Sequence, residues 1–141
     1  MRLFFDANTL FTAAHNPRGK AALVTELGVH GHWTLVTSAY AVEEARRNLA
    51  AKLPAVLPSF AELVAHFEIA PEHSGKASTP TLPAKDRPIY LAAVACRATH
   101  LLTGDVKDFG PLMNRPEETG GLVIQTVSEF LSRSVSRGQS R

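Results

Sequence analysis

Cysteine is all but missing from this chain: Cys96 is the one thiol among 141 residues. No disulfide framework can form within it, and a reducing compartment, the cytoplasm, is the expectation. Cys96 lies in an apolar segment and reads as a small buried hydrophobe rather than a nucleophile. Long hydrophobic runs are missing as well. Nothing approaches the ~20 apolar residues of a membrane span. The three apolar residues between Arg2 and Asp6 are too few for the apolar core of a signal peptide. No membrane association is expected. Strong charge imbalance is also lacking. A net charge of +2 and a pI near 8.9 permit a nucleic-acid partner without demanding one. No cysteine or histidine cluster suggests zinc: His30 and His32 flank Gly31 in a turn, and His15, His66, His73 and His100 are scattered. RGK at 18–20 is not a phosphate-binding loop, because Ala14 stands where the first glycine is needed and Ala21 follows Lys20.

The hydrophobic content, 45%, is ordinary for a soluble globule. The length suits one domain with a real core, assigned to residues 1–132, and 133–141 read as a flexible basic tail. RLFF at 2–5 reads as a short buried strand, and ANTLFTAAH as a helix broken by Asn16-Pro17. From Arg18 to Val29, Ala22, Leu23 and Leu27 recur at helical spacing. WTLVTS is a second strand, with Trp33 a packing residue, and Ser38 caps a helix to about Lys52. SFAELVAHF follows, with Ser59 and Glu62 in the capping-box pattern, and FEIA at 67–70 adds a further short strand. Residues 71–85, rich in Pro, Ser, Thr and Gly, form the one long loop. Asp86 opens DRPIYLAAVACRA, with Pro88 in its first turn and apolar residues on nearly every side. HLLTGD, VKDFGPLM and GLVIQ read as strand, helical turn and strand, and Thr126 with Glu129 caps a last helix. Apolar strands alternating with helices predict an α/β fold: a central, mainly parallel sheet between two helical layers.

Such sheets place their sites beyond the carboxyl ends of their strands. Asp6 and Asp105 lie just past strands, Asp86 at the start of the helix leading into HLLT, and Glu43 and Glu44 on the helix after WTLVTS. Each has an ordinary explanation. Asp86 serves equally as an N-cap, Asp105 as a turn residue, and the two glutamates as a solvated face beside Arg46, Arg47 and Asn48. Asp6 resists such a reading, because an acid at an apolar strand end is costly to bury unless paired or metal-bound. Converging carboxylates raise one another's pKa, and a divalent cation removes the conflict. Hard oxygen ligands favour Mg²⁺ or Mn²⁺, which suits phosphodiester hydrolysis.

FFDANTL, EARRNL, DRPIYLAAVA and LLTGDVKDF together resemble the ordered motifs of the PIN domain family, over about residues 2–130. The resemblance implies a three-layer α/β/α nuclease fold and a metal-dependent endoribonuclease of the kind found as VapC-like bacterial toxins. It implies catalytic roles for Asp6, Glu44, Asp86 and Asp105, with Asp6, Asp86 and Asp105 as ligands of Mg²⁺ or Mn²⁺. It makes Asn8 and Thr103 supporting hydrogen-bonders and Asp108 an extra acid. An RNA substrate, an antitoxin partner and a homodimer are implied with it. Periodicity does not choose between Glu43 and Glu44: with Val42, Ala45, Leu49 and Leu53 taken as the apolar stripe, Glu44 lies nearly opposite. The family register selects Glu44. Arg18 and Lys20, near the mouth of the site, are candidates for substrate contact. Two other readings keep the same acids: a PIN-like module that binds nucleic acid or a partner without cutting, and an aspartate-based phosphoacceptor or phosphatase. A dehalogenase-like phosphatase needs an acid two residues after Asp6, where Asn8 stands.

Overall fold

The computed structural model describes residues 1–71 and 81–139, with only the backbone of 135–139. Most of the long loop expected at 71–85 therefore lies outside the described residues. Strand β1 (Arg2–Phe5) leads into helices α1 (Ala7–His15) and α2 (Lys20–Val29), and then into strand β2 (Thr34–Ser38). Helices α3 (Ala39–Lys52) and α4 (Leu57–Val64) and strand β3 (Glu68–Ala70) follow. Helix α5 (Arg87–Ala95), strand β4 (His100–Leu102), the one-turn helix α6 (Val106–Phe109), strand β5 (Val123–Gln125) and helix α7 (Val127–Gln139) complete the order.

The strands form one five-stranded sheet in the order β3-β2-β1-β4-β5, every neighbouring pair parallel. The chain moves from β1 outward to β2 and β3, then crosses back to β4 and on to β5. Right-handed crossovers put α1 to α4 on one face and α5 on the other, where α5 packs on β2 and β4. Helix α7 returns to pack on α2. The expected three-layer α/β/α architecture with a parallel sheet is the one observed. The core is apolar on both sheet faces: Leu3, Phe4, Phe5, Val36, Leu101, Leu102 and Ile124 are buried. Phe5 meets Phe67 edge-on at 4.9 Å. Trp33 packs edge-on against Phe130 and donates its indole N–H to Val24 O at 2.9 Å, the structural role expected of it. Gly28 lets α2 approach β2, since a Cβ there would lie 2.6 Å from Leu35 Cγ.

Several local expectations are corrected. Helix α4 starts at Leu57 with Pro58 in its first turn, and it has no side-chain cap, so Ser59 lies inside the helix and caps nothing. Proline's fixed φ starts a helix readily and overrides the capping-box pattern one residue later. Helix α2 buries Ala21, Val24 and Thr25, and Leu23 is 44% exposed. Helix α3 buries Ala41, Ala45 and Leu49, whereas Leu53 is 40% exposed. Helix α5 has an open side, with Val94 41% exposed. Helix α7 runs to Gln139. The Thr126–Glu129 capping box forms in both directions: Thr126 N–H reaches Glu129 Oε1 at 3.0 Å, and Glu129 N–H reaches Thr126 Oγ1 at 3.1 Å.

Candidate functional site

The direction in which successive strands are added across the sheet reverses between β1 and β4, the topological switch point at which open α/β sheets place their ligands. Phe5 stands opposite Leu102 in parallel register, so Asp6 and Thr103 leave the sheet side by side. Asp6 caps α1 and is 5% exposed. Its carboxylate accepts the Thr9 N–H at 2.8 Å and, from the neighbouring strand, the Thr103 hydroxyl. The Thr103 oxygen in turn accepts the Asp105 N–H at 2.9 Å. Thr9 and Thr37 pin the frame, donating to Leu102 O at 2.9 Å and to Phe5 O at 2.8 Å. Burial raises the pKa of Asp6 against the opposing hydrogen bonds from Thr103 and Thr9, and the nearby charge of Asp105 adds to the rise.

Asp105 caps α6, accepting the Asp108 N–H at 3.0 Å. This turn brings Asp108 round to Asp105, and both meet Asp86. Carboxylate oxygens of Asp86, Asp105 and Asp108 all lie within 4.8 Å of one another. Asp86 precedes α5 with helical backbone angles and makes no capping hydrogen bond, so the N-cap explanation of its presence does not hold. It is 7% exposed, and its Oδ2 is buried with no hydrogen-bond partner among the described residues. Its pKa is pushed up to about 6, by burial first, then by the charge of Asp105 and by the proton it can share with Asp108. An unpartnered buried carboxylate oxygen is costly, and either a proton or a cation relieves it. Oxygen donors from three carboxylates suit a hard divalent cation.

Asp6, Asn8, Glu44, Asn48, Asp86 and Asp105 line a common cavity of about 170 Å³. Asp6 faces it but stands outside the tight carboxylate triple, in which Asp108 takes the third place. Glu44 lies three residues from buried Ala41 and borders the α3 contact face, so it reaches the cavity. Glu43 points outward and pairs with Arg46 and, at 3.9 Å, with Arg47. Of the basic candidates, Lys20 lines two other cavities and Arg18 one of them; neither lines this one.

Lys85 and Asn48 also line the cavity. Lys85 Nζ sits 3.3 Å from Asp108 Oδ2 and 3.8 Å from Asp105 Oδ2. Its pKa is raised, first by the hydrogen bond to Asp108 and then by the charges of Asp86, Asp108 and Asp105. Tyr40 OH holds the Lys85 carbonyl at 3.2 Å. Its adjacency to Asp86 was the available signal. Asn48 lies four residues after Glu44, on the same helical face, and that spacing could have found it.

No protein-family model and no curated protein sequence matches the chain. Among solved structures it is similar to a chain of VapBC2 from Rickettsia felis, determined bound to a DNA fragment from their promoter. The TM-score is 0.66 at 16% identity, over 89% of this chain and 98% of that one. The likeness is one of fold.

Proposed function

We propose that this protein is a metal-dependent endoribonuclease, hydrolysing RNA phosphodiester bonds as the toxin of a toxin–antitoxin pair. The observation that carries the reading is the convergence of Asp86, Asp105 and Asp108, with a buried, unpartnered Asp86 oxygen, beside Asp6 at the sheet's switch point. Asp6, Asp86 and Asp105 would hold Mg²⁺ or Mn²⁺, with Asp108 as a further acid beside Asp86 and Asp105. A cation bound there supplies a water of lowered pKa and neutralises charge on the scissile phosphate. Glu44, which lines the same cavity, would orient an attacking water. Thr103 holds the Asp6 carboxylate in one orientation, and Asn8 at the rim donates to carboxylate or water. Arg18 and Lys20 are assigned to substrate contact. The VapBC2 likeness supports an antitoxin partner, and a homodimer and a cytoplasmic site of action go with the same reading.

Purified protein incubated with single-stranded RNA and Mn²⁺ is expected to cut it, and Asp6→Asn and Asp86→Asn each to lower the rate by at least about a hundredfold. RNA left intact across several sequences with either ion would overturn the reading.

A further inference from the structure

A second cavity, of about 320 Å³, opens on the other side of Asn8. Asn8, Thr12, Lys20, Gly104, Thr126 and Ser128 are among the residues that line it. Asn8 belongs to both cavities, and Gly104 stands against it: a Cβ on Gly104 would lie 3.9 Å from Asn8 Cβ. Asn8 and the TGD turn thus form the ridge between the two. The two sides differ in charge. Among the described residues, the first cavity carries four carboxylates, those of Asp6, Glu44, Asp86 and Asp105, against the one ammonium of Lys85, whereas no carboxylate lines the second. Its one charged lining residue among the described residues is Lys20, at the start of α2, whose Nζ donates to Ser128 Oγ on α7 at 3.2 Å. An ammonium has three donors, so this contact leaves two for an anion.

We infer that the second cavity is a subsite for one nucleotide unit of the RNA strand, its phosphate on Lys20 and its ribose against the hydroxyls of Thr12 and Ser128. The inference rests on the nuclease reading of the adjoining site. The four carboxylates outnumber the single ammonium of Lys85 and disfavour a phosphate in the acidic pocket until a further cation sits there, whereas Lys20 attracts one in the second cavity unaided. A strand crossing the Asn8–Gly104 ridge presents one bond to the carboxylates and the neighbouring nucleotide to Lys20. Hydroxyl side chains both donate and accept, which matches the ribose 2′-OH. The volume lies at the lower end of the ~300–1,000 Å³ range of small-ligand pockets, which suits one nucleotide rather than an oligomer. Lys20 holds this phosphate, and Arg18 would meet the strand only farther out, because it lines the outer depression shared with Lys20, Leu23 and Glu26.

The test is an amide-shift titration of the isotope-labelled full chain, free of divalent metal, with adenosine 5′-monophosphate, and with adenosine and inorganic phosphate in parallel. Saturable shifts at Thr12, Lys20 and Ser128 are expected with the nucleotide, weaker ones with either fragment, and a loss of at least about tenfold in affinity with Lys20→Ala. Phosphate binding as tightly as the nucleotide would reduce the site to an anion site and overturn the sugar assignment, and absence of shifts at these residues would overturn the whole. In RNA cleavage, Lys20→Ala is expected to raise KM about tenfold with kcat little altered and the calorimetric Mn²⁺ affinity unchanged. Cleavage with an unchanged KM would refute the subsite while leaving the nuclease standing. Nucleotide binding without any RNA cleavage would refute the nuclease reading and leave the cavity a nucleotide site.

Discussion

At the residue scale the controlling group is Asp86. A carboxyl whose folded pKa is about 6, against about 3.9 in an unfolded chain, favours folding when protonated. Its contribution is therefore present below pH ~4 and lost as pH rises through 6, a cost on the order of 2–3 kcal/mol at neutral pH for the metal-free protein. Asp86→Asn keeps the shape and removes that cost. We expect the metal-free variant to melt higher than the parent at pH 7, by up to that free energy. The difference should shrink toward pH 4 in melts run with chelator. Equal melting of the two proteins at pH 7 would show that Asp86 bears no such burden. Lys85 is the second residue of interest, because it neutralises Asp105 and Asp108 in the place a cation would take. Lys85→Met removes a competing charge. Calorimetric Mn²⁺ affinity is expected to rise severalfold, and a fall would mean that Lys85 assists the ion instead.

At the element scale, the start of α7 is held by Glu129. Its carboxylate accepts the Thr126 N–H at 3.0 Å and the Asn114 side-chain N–H at 2.7 Å. Asn114 sits at a left-handed φ of 58° and takes a second hydrogen bond from Gln125 at 3.0 Å, tying α7 to the end of β5. Glu129→Ala is expected to cost about 1–2 kcal/mol in denaturant unfolding, the value of a cap plus one charge-assisted hydrogen bond. The Thr126 hydrogen bond, with Asn114's behind it, lowers the pKa of Glu129. Its stabilisation is therefore complete above the unfolded pKa and fades as pH falls through the lower folded value, opposite in sign to Asp86. This capping box was legible because Thr126 and Glu129 stand three apart just after an apolar strand. The equivalent signal at Ser59 misled because Pro58 had already started the helix. Faces were harder to read than elements. Helices α2 and α3 are rich in alanine, and alanine suits buried and exposed faces alike, so periodicity chose Leu23 and Leu53 where packing buries Ala21 and Ala41.

At the scale of the whole molecule, the site is a property of topology. Asp6 and Thr103 come from positions 97 apart in sequence and become neighbours because β1 and β4 pair. A cation held by three separate segments binds the folded state and not the unfolded one. Mn²⁺ at a hundred times its dissociation constant should therefore raise stability by about 2.7 kcal/mol. The gain should vanish in Asp86→Asn, and an equal metal-induced shift in that variant would place the ion elsewhere.

Apolar runs bounded by turn residues were enough to mark the strands, and their alternation with helices was enough to call for a parallel sheet. An acid just past a strand end was enough to mark Asp6 and Asp105. Those inferences draw on local patterns, and the local energetics of burial and hydrogen bonding enforce them. Which side of α3 faces the acids, that Asp108 rather than Asp6 closes the carboxylate triple, that one Asp86 oxygen is left without a hydrogen bond among the described residues, and that Lys85 pairs with Asp105 and Asp108 all depend on distances between segments. Pairing register and packing set those distances, and a side chain's neighbours across space leave no trace in its neighbours along the chain.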